Sequence, residues 1–542
     1  MGMDKMKRRD FLKLAAAGST VPTLAHITQG SDAIHRSPVR TRNSRLNVVF
    51  IMSDQHSQAV SGCYGHDIVQ TPHIDGLAES GTRYSNAFCA SPLCSPSRVA
   101  WLTGTHPHTN GVVTHNNSRH RSGKTYRKNI NPGIRSLIND IKDAGYATHG
   151  SGFIHADQHV ASTTRPYAEL GFSTFGADRD VYQNLVGKEV ARRYSMANTI
   201  SEMWEHTYRN VEGTPFPYGE EKLWDSVITE DSLVFLDRQS GETPFFLYVG
   251  YRAPHPPWCA PERFHSRYDP ARIGPLPNYK VCFTDKPRRV IERVNYYELW
   301  NLPEEMVRRS IAAYYGFVSY IDSCIGRILI KLQDKRLLEN TLIVYTSDHG
   351  EMLYKNGICE KHTFFEDAVK IPVILSLPST IPKGLASDAL ISNIDLLPSV
   401  MTLLDIPLPD FIEGKEISPT WTGEDVQDHI FAEYYHSLDP CRMVRDRRYK
   451  YIHTEEDICE LYDIENDPLE SINLAWYSQY AERIRRMEEL VTADWEIPHV
   501  PVWATWNDLN ERKQRMRLSG AKIIDPRPRP PDWVASYSEQ DS

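Results

Sequence analysis

Residues 46–55 read LNVVFIMSDQ, an apolar run that ends in an acid, Asp54, and an amide, Gln55. A continuous apolar run of this length is typical of a strand that is buried on both faces, as in a parallel sheet covered by helices. The segments TPFFLYVGYRAPHPP (243–257) and TLIVYTSDHGE (341–351) have the same form. The three segments therefore predict neighbouring strands of one sheet.

Helical and apolar segments alternate along this part of the chain. TPHIDGLAESG (71–81) predicts the start of a helix, and IRSLINDIKDAGYATHGSG (134–152) predicts a helix followed by a strand. Residues 311–340 form a long amphipathic pattern, and KIPVILSLP (370–378) predicts another strand. This alternation indicates an α/β fold with a large, mostly parallel sheet flanked by helices.

Polar residues follow the predicted strands. Asp54, His255, Asp348 and His349 each stand at or just after the end of an apolar run. Ligands of open α/β sheets gather outside the carboxyl ends of the strands. We therefore expect these four side chains to converge on one site.

The character of the chain changes near residue 425. Short apolar segments with turns follow, then a helical pattern over 475–495 and a tail rich in proline and arginine. We predict a main domain over 45–424. A smaller C-terminal domain with its tail would occupy 425–542 and be built on a short antiparallel sheet and a helix.

The N-terminus predicts export. Arg8 and Arg9 precede a short alanine-rich apolar run, a pattern typical of a bacterial twin-arginine signal over 1–25, followed by a linker over 26–44. The alternative is a basic tail that happens to contain two arginines. The apolar run is too short to span a bilayer, so we expect an exported periplasmic or extracellular protein without a transmembrane span.

The composition excludes some classes of function. The chain has 542 residues and a formal net charge of −9, which argues against a general nucleic-acid binder. Its nine cysteines form no CxxC pair, so they do not predict a zinc site or a redox motif. Export would permit disulfides, but the pairing cannot be deduced from the sequence.

The segment SPLCSPSRVAWLTG (91–104) predicts a helix with Ser95 as N-cap, Pro96 as its first residue and Gly104 at its end. Cys94 would lie at the N-terminus of this helix, where a thiol is expected to be acidic. The cysteine could be a thiol nucleophile, half of a disulfide, a metal ligand or the precursor of another group.

Two adjacent pairs of ligand-type residues, Asp54 with Gln55 and Asp348 with His349, predict a divalent cation site. The oxygen donors favour Ca²⁺, with Mg²⁺ as an alternative, and the imidazole admits Mn²⁺. For either pair alone, a capping role at a helix or turn would be the alternative.

The residues 94–98 and 102–104 resemble the signature of the type I sulfatases, C-x-P-S-R-x-x-x-L-T-G, and the resemblance extends from about residue 46 to about 468. It implies an alkaline phosphatase-like fold with a smaller C-terminal domain. It also implies that a dedicated maturation enzyme oxidises Cys94 to formylglycine, whose hydrate attacks sulfur and later collapses to release sulfate.

The resemblance also implies roles for individual residues. The metal ligands would be Asp54, Gln55, Asp348, His349 and the modified Cys94, and the other catalytic residues would be Arg98, His155, His255 and Lys361. Gln55 and His349 resemble the choline-sulfatase and phosphonate monoester hydrolase branches and some polysaccharide sulfatases, because many sulfatases have Asp and Asn at these positions. Phe153 stands where the family often has a lysine, so one positive group is missing or supplied from elsewhere.

The polar loop over 105–123 follows the signature helix and contains His108, His115 and Arg119. These side chains could bind sugar hydroxyls, carboxylates or sulfates, or the loop could simply be solvated. We predict a sulfatase that acts on a sulfate monoester, on a sulfated small molecule or more specifically on a sulfated carbohydrate. The alternatives are a choline-sulfatase-like or phosphonate and phosphodiester hydrolase, a non-catalytic binder of sulfated glycans, and a cysteine hydrolase.

Overall fold

A computed structural model describes most of the chain from residue 45 to residue 495, together with a strand at 522–524. The stretches outside the description are 1–44, 116–117, 120–124, 127–128, 162–163, 196–212, 275, 298–301, 436–439, 455–456, 496–521 and 525–542. The predicted export signal and linker lie outside the described residues, as does most of the predicted tail.

An eight-stranded sheet forms the centre of the molecule. Its strands are β1 (Asn47–Asp54), β2 (Thr82–Phe88), β3 (Ala147–Gly152), β4 (Thr174–Gly176), β5 (Phe245–Pro254), β6 (Thr341–Ser347), β7 (Val373–Ser376) and β8 (Leu385–Ser392). They lie in the order β8-β2-β7-β6-β1-β5-β3-β4. All neighbouring pairs are parallel except the two made by β7, which runs antiparallel to both β2 and β6.

Helices cover both faces of this sheet. In the described part of the chain, the α-helices longer than one turn are α1 (Pro72–Ser80), α2 (Cys94–Thr103), α3 (Ile138–Asp143), α4 (Arg179–Val186), α5 (Lys188–Ser195), α6 (Trp224–Asp237), α7 (Arg288–Tyr297), α8 (Glu304–Asp334), α9 (Leu396–Leu403) and α10 (Ala481–Thr492). Single helical turns are formed by Pro107–Asn110, Pro166–Glu169, Glu262–His265 and Glu366–Val369.

Strand β1 explains the apolar run within residues 46–55. Val49 and Ile51 belong to the hydrophobic core that contains residues of α6 and α8. Val48 and Phe50 belong to a second core, which contains residues of α2 and α9. Alternate side chains of a strand point to opposite faces, so the part of β1 that lies between the two cores, residues 48–52, is apolar at every position.

A second sheet lies near the C-terminal end of the described chain. It is antiparallel, in the order β9-β10-β11-β12, with β9 (Ile430–Tyr434), β10 (Cys441–Arg445), β11 (Tyr449–Thr454) and β12 (Glu460–Asp463). Helix α10 packs on it through a small core that includes Met487 and Val491. The predicted fold class is confirmed, and the boundary between 45–424 and 425–542 stays a prediction.

Short strand pairs complete the description. Ser118–Arg119 pairs with Thr125–Tyr126, and Val281–Phe283 pairs with Lys522–Ile524. None of the helices in the described part of the chain has the length and hydropathy of a membrane span. Eight of the nine cysteines have described side chains, and all eight are free thiols.

Candidate active site

The register of the central strands brings the predicted polar residues to one edge of the sheet. Asp54 is paired with Pro254, so His255 follows β5 at the level where β1 ends. Ser53 is paired with Ser347, so Asp348 follows β6 at the same level. The convergence expected from the strand ends is therefore a consequence of parallel pairing.

Four side chains form a buried group at this edge, which we name the central cluster: Asp54, Cys94, Asp348 and His349. Each offers one ligand atom, and these atoms all lie within 4.8 Å of one another. The Sγ of Cys94 lies 3.2 Å from His349 Nε2 and 3.9 Å from Asp54 Oδ1. His349 Nδ1 donates to the Gly350 carbonyl at 3.0 Å, which leaves the Nε2 lone pair directed towards the cluster.

Gln55 lies beside the cluster in a constrained conformation. Its φ of 69° is in the left-handed region, which few residues other than glycine adopt. Tyr314 donates to its carbonyl at 2.8 Å, and its side-chain nitrogen donates to the buried Glu351. Because the nitrogen faces Glu351, the amide oxygen faces the other way and accepts a hydrogen bond from Lys361 at 2.7 Å.

Arg98, on α2, connects the two carboxylates of the cluster. It is fully buried and donates to Asp348 at 2.8 Å and to Asp54 at 3.3 Å. Its remaining donors reach the Phe153 carbonyl and the Tyr248 hydroxyl, both at 2.9 Å. The guanidinium offsets carboxylate charge that burial would otherwise make costly.

The Cys94 thiol is not acidic, contrary to the expectation from its position on the helix. Burial, followed by the charge of Asp54, raises its pKa to about 12. Helix α2 begins at Cys94 itself, with Leu93 as an N-cap that makes no side-chain bond, so Ser95 is not the N-cap. The Nζ of Lys361 lies 3.0 Å from the sulfur, and the lysine is buried.

Two histidines predicted as catalytic residues lie near the same edge. His155 packs on Phe153 and stacks on His115, with ring centroids 4.9 and 4.8 Å apart, and its Nδ1 is buried without a hydrogen-bond partner. His255 donates from Nδ1 to the Pro256 carbonyl at 2.8 Å. Burial, followed by a neighbouring positive group in each case, holds the pKa of both imidazoles well below the usual range, so both rest neutral.

The three predicted substrate-binding residues have different surroundings. His115 lies near the signature helix, with its Nδ1 2.9 Å from the Ser95 hydroxyl. His108 instead forms an ion pair of 2.6 Å with the buried Glu433 of β9. Arg119 lies in a described strand, but its side chain lies outside the description. The structure thus brings His115 to the site, and His108 to the second sheet.

Sequence reasoning missed two polar residues of the site. Tyr248 lies within the apolar run of β5 and bonds Arg98, and nothing in its local pattern distinguishes it from a core tyrosine. Glu351 follows the Asp348–His349 pair and fixes the Gln55 amide. The only sequence signal for Glu351 is its position two residues after a ligand-type pair, which is weak evidence by itself.

The donor set fits a divalent cation. Two carboxylates and one imidazole nitrogen lie within 4.8 Å of one another and are fully buried. The ammonium of Lys361 donates a hydrogen bond to the Gln55 amide oxygen, so the lone pairs of this oxygen already interact with a positive charge. Mostly oxygen ligands with one imidazole suit Ca²⁺, Mg²⁺ or Mn²⁺.

Polar groups gather at the carboxyl edge of this α/β sheet, around a buried cysteine at the start of a helix, and this edge is where enzymes with open α/β sheets bind their ligands. The chain belongs to the sulfatase family, whose model matches residues 46–406. A second model, described as the C-terminal part of N-sulphoglucosamine sulphohydrolase, matches residues 355–495. The family prediction is confirmed, and the protein is a sulfuric ester hydrolase.

Individual relatives have more specific names. The choline-sulfatase of Rhizobium meliloti (strain 1021) is 27% identical over 453 residues, which cover 79% of this chain and 82% of that protein. The phosphonate monoester hydrolase of Agrobacterium radiobacter has a similar structure, with a TM-score of 0.67, 21% identity and coverage of 83% of this chain and 95% of the other. A protein solved with its substrate D-glucosamine-2-N,6-O-disulfate has a TM-score of 0.65 and 21% identity, over 83% and 97% of the two chains.

Proposed function

We propose that this protein hydrolyses the sulfate monoester of a sulfated carbohydrate, using a formylglycine made from Cys94 and one divalent cation. The observation that carries the proposal is the position of the Cys94 sulfur, which lies within the central cluster and 3.0 Å from Lys361. A group that replaces the thiol at this position would be surrounded by metal ligands and positive charge.

The chemistry requires such surroundings. The anionic oxygens of a sulfate ester repel a nucleophile, and fixed positive charge lowers this barrier. Asp54, Gln55, Asp348 and His349 would hold the cation, for which we favour Ca²⁺, and it would supply charge stabilisation to sulfate and nucleophile alike. Hydrated formylglycine would supply a nucleophilic hydroxyl together with a second hydroxyl that permits sulfate release.

Lys361 would bind the sulfate and the leaving oxygen. It is 4% exposed, and its ammonium contacts the Gln55 amide oxygen and the Cys94 sulfur. Burial alone would lower its pKa, but the negative charge of the carboxylates around it, Asp54 and Asp348 among them, raises the pKa overall, so the group stays protonated. A lysine in this state is a point charge directed at the reacting atoms.

The two histidines would move protons. His155 rests neutral with an unpaired Nδ1, so it can accept a proton from the second hydroxyl of the hydrated aldehyde. His255 has its Nδ1 committed to the Pro256 carbonyl, which leaves Nε2 to serve the leaving oxygen. A bound sulfate ester is anionic and would favour the imidazolium form of His255, which makes it a general acid.

The choice of a sulfated sugar as substrate is the more specific part of the proposal. It rests on the polar loop over 105–123, on the predicted export signal, and on the fold shared with a protein that binds a glucosamine disulfate. A second candidate is a choline-sulfatase-like or phosphonate monoester hydrolase. The pair of Gln55 with His349 favours it, together with the choline-sulfatase relative.

The test combines modification and activity. We expect protein co-expressed with a formylglycine-generating maturation enzyme to contain an aldehyde at position 94, detected by peptide mass spectrometry. It should release inorganic sulfate from at least one sulfated mono- or oligosaccharide in a panel that includes choline sulfate and phosphonate monoesters. Activity confined to choline sulfate or to phosphonate esters would establish the second candidate instead.

Two variants make the result specific. Cys94→Ala should remove both the aldehyde and the activity. Cys459→Ala is the matched control, because Cys459 directly precedes β12 of the second sheet, where its sulfur is 3.9 Å from His453 Nδ1. Retained sulfate release by Cys94→Ala, or the presence of an unmodified thiol in fully active protein, would refute the mechanism.

A further inference from the structure

Arg252, near the end of β5, is a buried cation whose guanidinium has one weak bond. It is 9% exposed, and its Nη2 donates to the Pro256 carbonyl at 3.3 Å. Its Nη1 is buried without a hydrogen-bond partner. The nearby carboxylate of Asp225 accepts from the backbone N–H groups of Arg252 and Ala253, and no described carboxylate forms an ion pair with the guanidinium.

A buried arginine in this state is unusual. Buried charges are normally paired, and an unpaired buried donor loses its hydration without compensation. The missing partner must be negatively charged to offset the guanidinium. An oxyanion would satisfy it best, because the planar fork of arginine matches two oxygens of a carboxylate, phosphate or sulfate.

The position of Arg252 connects it to the site. Its guanidinium lies 5.7 Å from the centre of the Phe153 ring, and that of Arg98 lies 4.9 Å from the same ring. Burial and then the charge of Arg252 hold the pKa of His255 well below its usual range. The unsatisfied cation therefore lies close to both the leaving-group histidine and the central cluster.

We propose that Arg252 binds the oxygens of the scissile sulfate and supplies the positive charge that Phe153 cannot supply. This inference rests on the proposed function, because it needs a sulfate group at the central cluster. Phe153 is apolar and packs under both guanidiniums, so it holds them in place but offers no donor to an anion. A sulfate between Arg252 and Lys361 would pair the Nη1 that is otherwise unsatisfied.

A structural role is the competing explanation. Arg252 could serve only to hold the turn after β5 through its bond to Pro256. In that case its removal would change stability but not the affinity for sulfate. A second competing explanation is that Arg252 binds another anionic group of the substrate, such as a second sulfate.

The experiment uses three variants of the mature protein. Arg252→Met removes the charge, Arg252→Lys keeps it without the fork, and Arg267→Met is the control. Arg267 is also a guanidinium over an aromatic ring, 4.8 Å from the centre of Phe264, but it is exposed to solvent. Binding of inorganic sulfate is measured by calorimetry, and kcat and KM are measured on substrates with and without a second anionic group. Circular dichroism verifies that each variant is folded.

Loss of one charge-assisted bond predicts that Arg252→Met weakens sulfate binding about 10- to 100-fold and lowers kcat/KM by a similar factor. Arg252→Lys should recover part of both losses, and Arg267→Met should change neither. Sulfate affinity that is unchanged in folded Arg252→Met would overturn the inference. A loss limited to substrates with a second anionic group would overturn it as well.

The two proposals fail in different ways. If the mature protein binds sulfate through Arg252 but hydrolyses no sulfate ester, the proposed function fails and the anion site stands. If it hydrolyses sulfate esters and Arg252→Met binds sulfate as the parent does, the proposed function stands and the inference fails.

Discussion

Replacement of Arg98 by methionine tests whether one buried guanidinium offsets the negative charge of the central cluster. Methionine has a similar length but no charge, so Asp54 and Asp348 lose their bonds of 3.3 and 2.8 Å to the guanidinium. Both carboxylates are fully buried. The Phe153 carbonyl would keep only its bond from the Tyr248 hydroxyl.

The expected cost follows from this loss. Removing one partner of a buried ion pair destabilises a protein by about 3–5 kcal/mol, because the remaining charge stays buried without compensation. Arg98 serves two carboxylates, but Lys361 also stabilises the ionised forms of both. We therefore expect the free energy of unfolding to fall by about 4 kcal/mol in protein freed of divalent cations.

A double variant that keeps the net charge of the parent tests whether the uncompensated carboxylate charge causes the loss of stability. Arg98→Met with Asp348→Asn removes one carboxylate together with the guanidinium, so it should be more stable than Arg98→Met alone. Coupling of residues in direct contact amounts to about 0.5–3 kcal/mol, and the upper half of this range is expected here. Addition of Ca²⁺ should also reduce the difference in the free energy of unfolding between Arg98→Met and the parent, since a cation replaces the lost positive charge.

The assay is urea denaturation followed by circular dichroism, with and without a chelator, and sulfate release is measured in parallel. Arg98→Met should also lose activity, because the guanidinium orients Asp54 and Asp348. If Arg98→Met were as stable as the parent without cations, Arg98 would not offset the buried carboxylates. A double variant less stable than Arg98→Met would equally contradict this role of Arg98.

Three further predictions follow from the same structure. A chelator should lower the melting temperature and abolish sulfate release, and restored Ca²⁺ should reverse both effects; unchanged melting would argue against a cation at the central cluster. Burial lowers the pKa of His108, but the hydrogen bond to Glu433 outweighs it and raises the pKa above its ordinary 6.5. The stabilisation from this pair is complete below pH 6.5 and is lost as the pH rises through the raised pKa, so the difference in melting temperature between the parent and His108→Asn should shrink from pH 5.5 to pH 8.5. A difference that grows with pH would contradict this assignment. Gly350→Ala would place a Cβ 2.0 Å from the Asp367 carbonyl oxygen, so the free energy of unfolding should fall by about 1–3 kcal/mol, and unchanged denaturation would disprove this close approach.

The amino-acid sequence by itself predicted the main sheet and the location of its site. The apolar runs of β1, β5 and β6 are continuous because each strand is covered on both faces, and burial of this kind is encoded locally. Parallel strands end at a common edge, so Asp54, Asp348 and the histidine after β5 were expected together. Parallel pairing brings them there in the structure.

Other features depended on the tertiary structure. The apolar run of β7 gave no indication of direction, because buried parallel and antiparallel strands contain the same residue types, and β7 proved antiparallel. The thiol of Cys94 was expected to be acidic from its helix, but burial beside Asp54 raises its pKa. The position of Cys94 at the start of a helix follows from the local sequence. The desolvation of its sulfur depends on the residues that pack around it in the folded chain.

Charge pairs between residues far apart in the chain show most clearly what could not be predicted from the sequence. His108 was expected in the substrate loop, yet its partner Glu433 is 325 residues away in the chain. The unpaired guanidinium of Arg252 is equally invisible in the sequence, since it depends on which carboxylates fold near it. Sequence periodicity records whether a residue is buried, but charge pairing depends on three-dimensional proximity, and only the folded chain decides that.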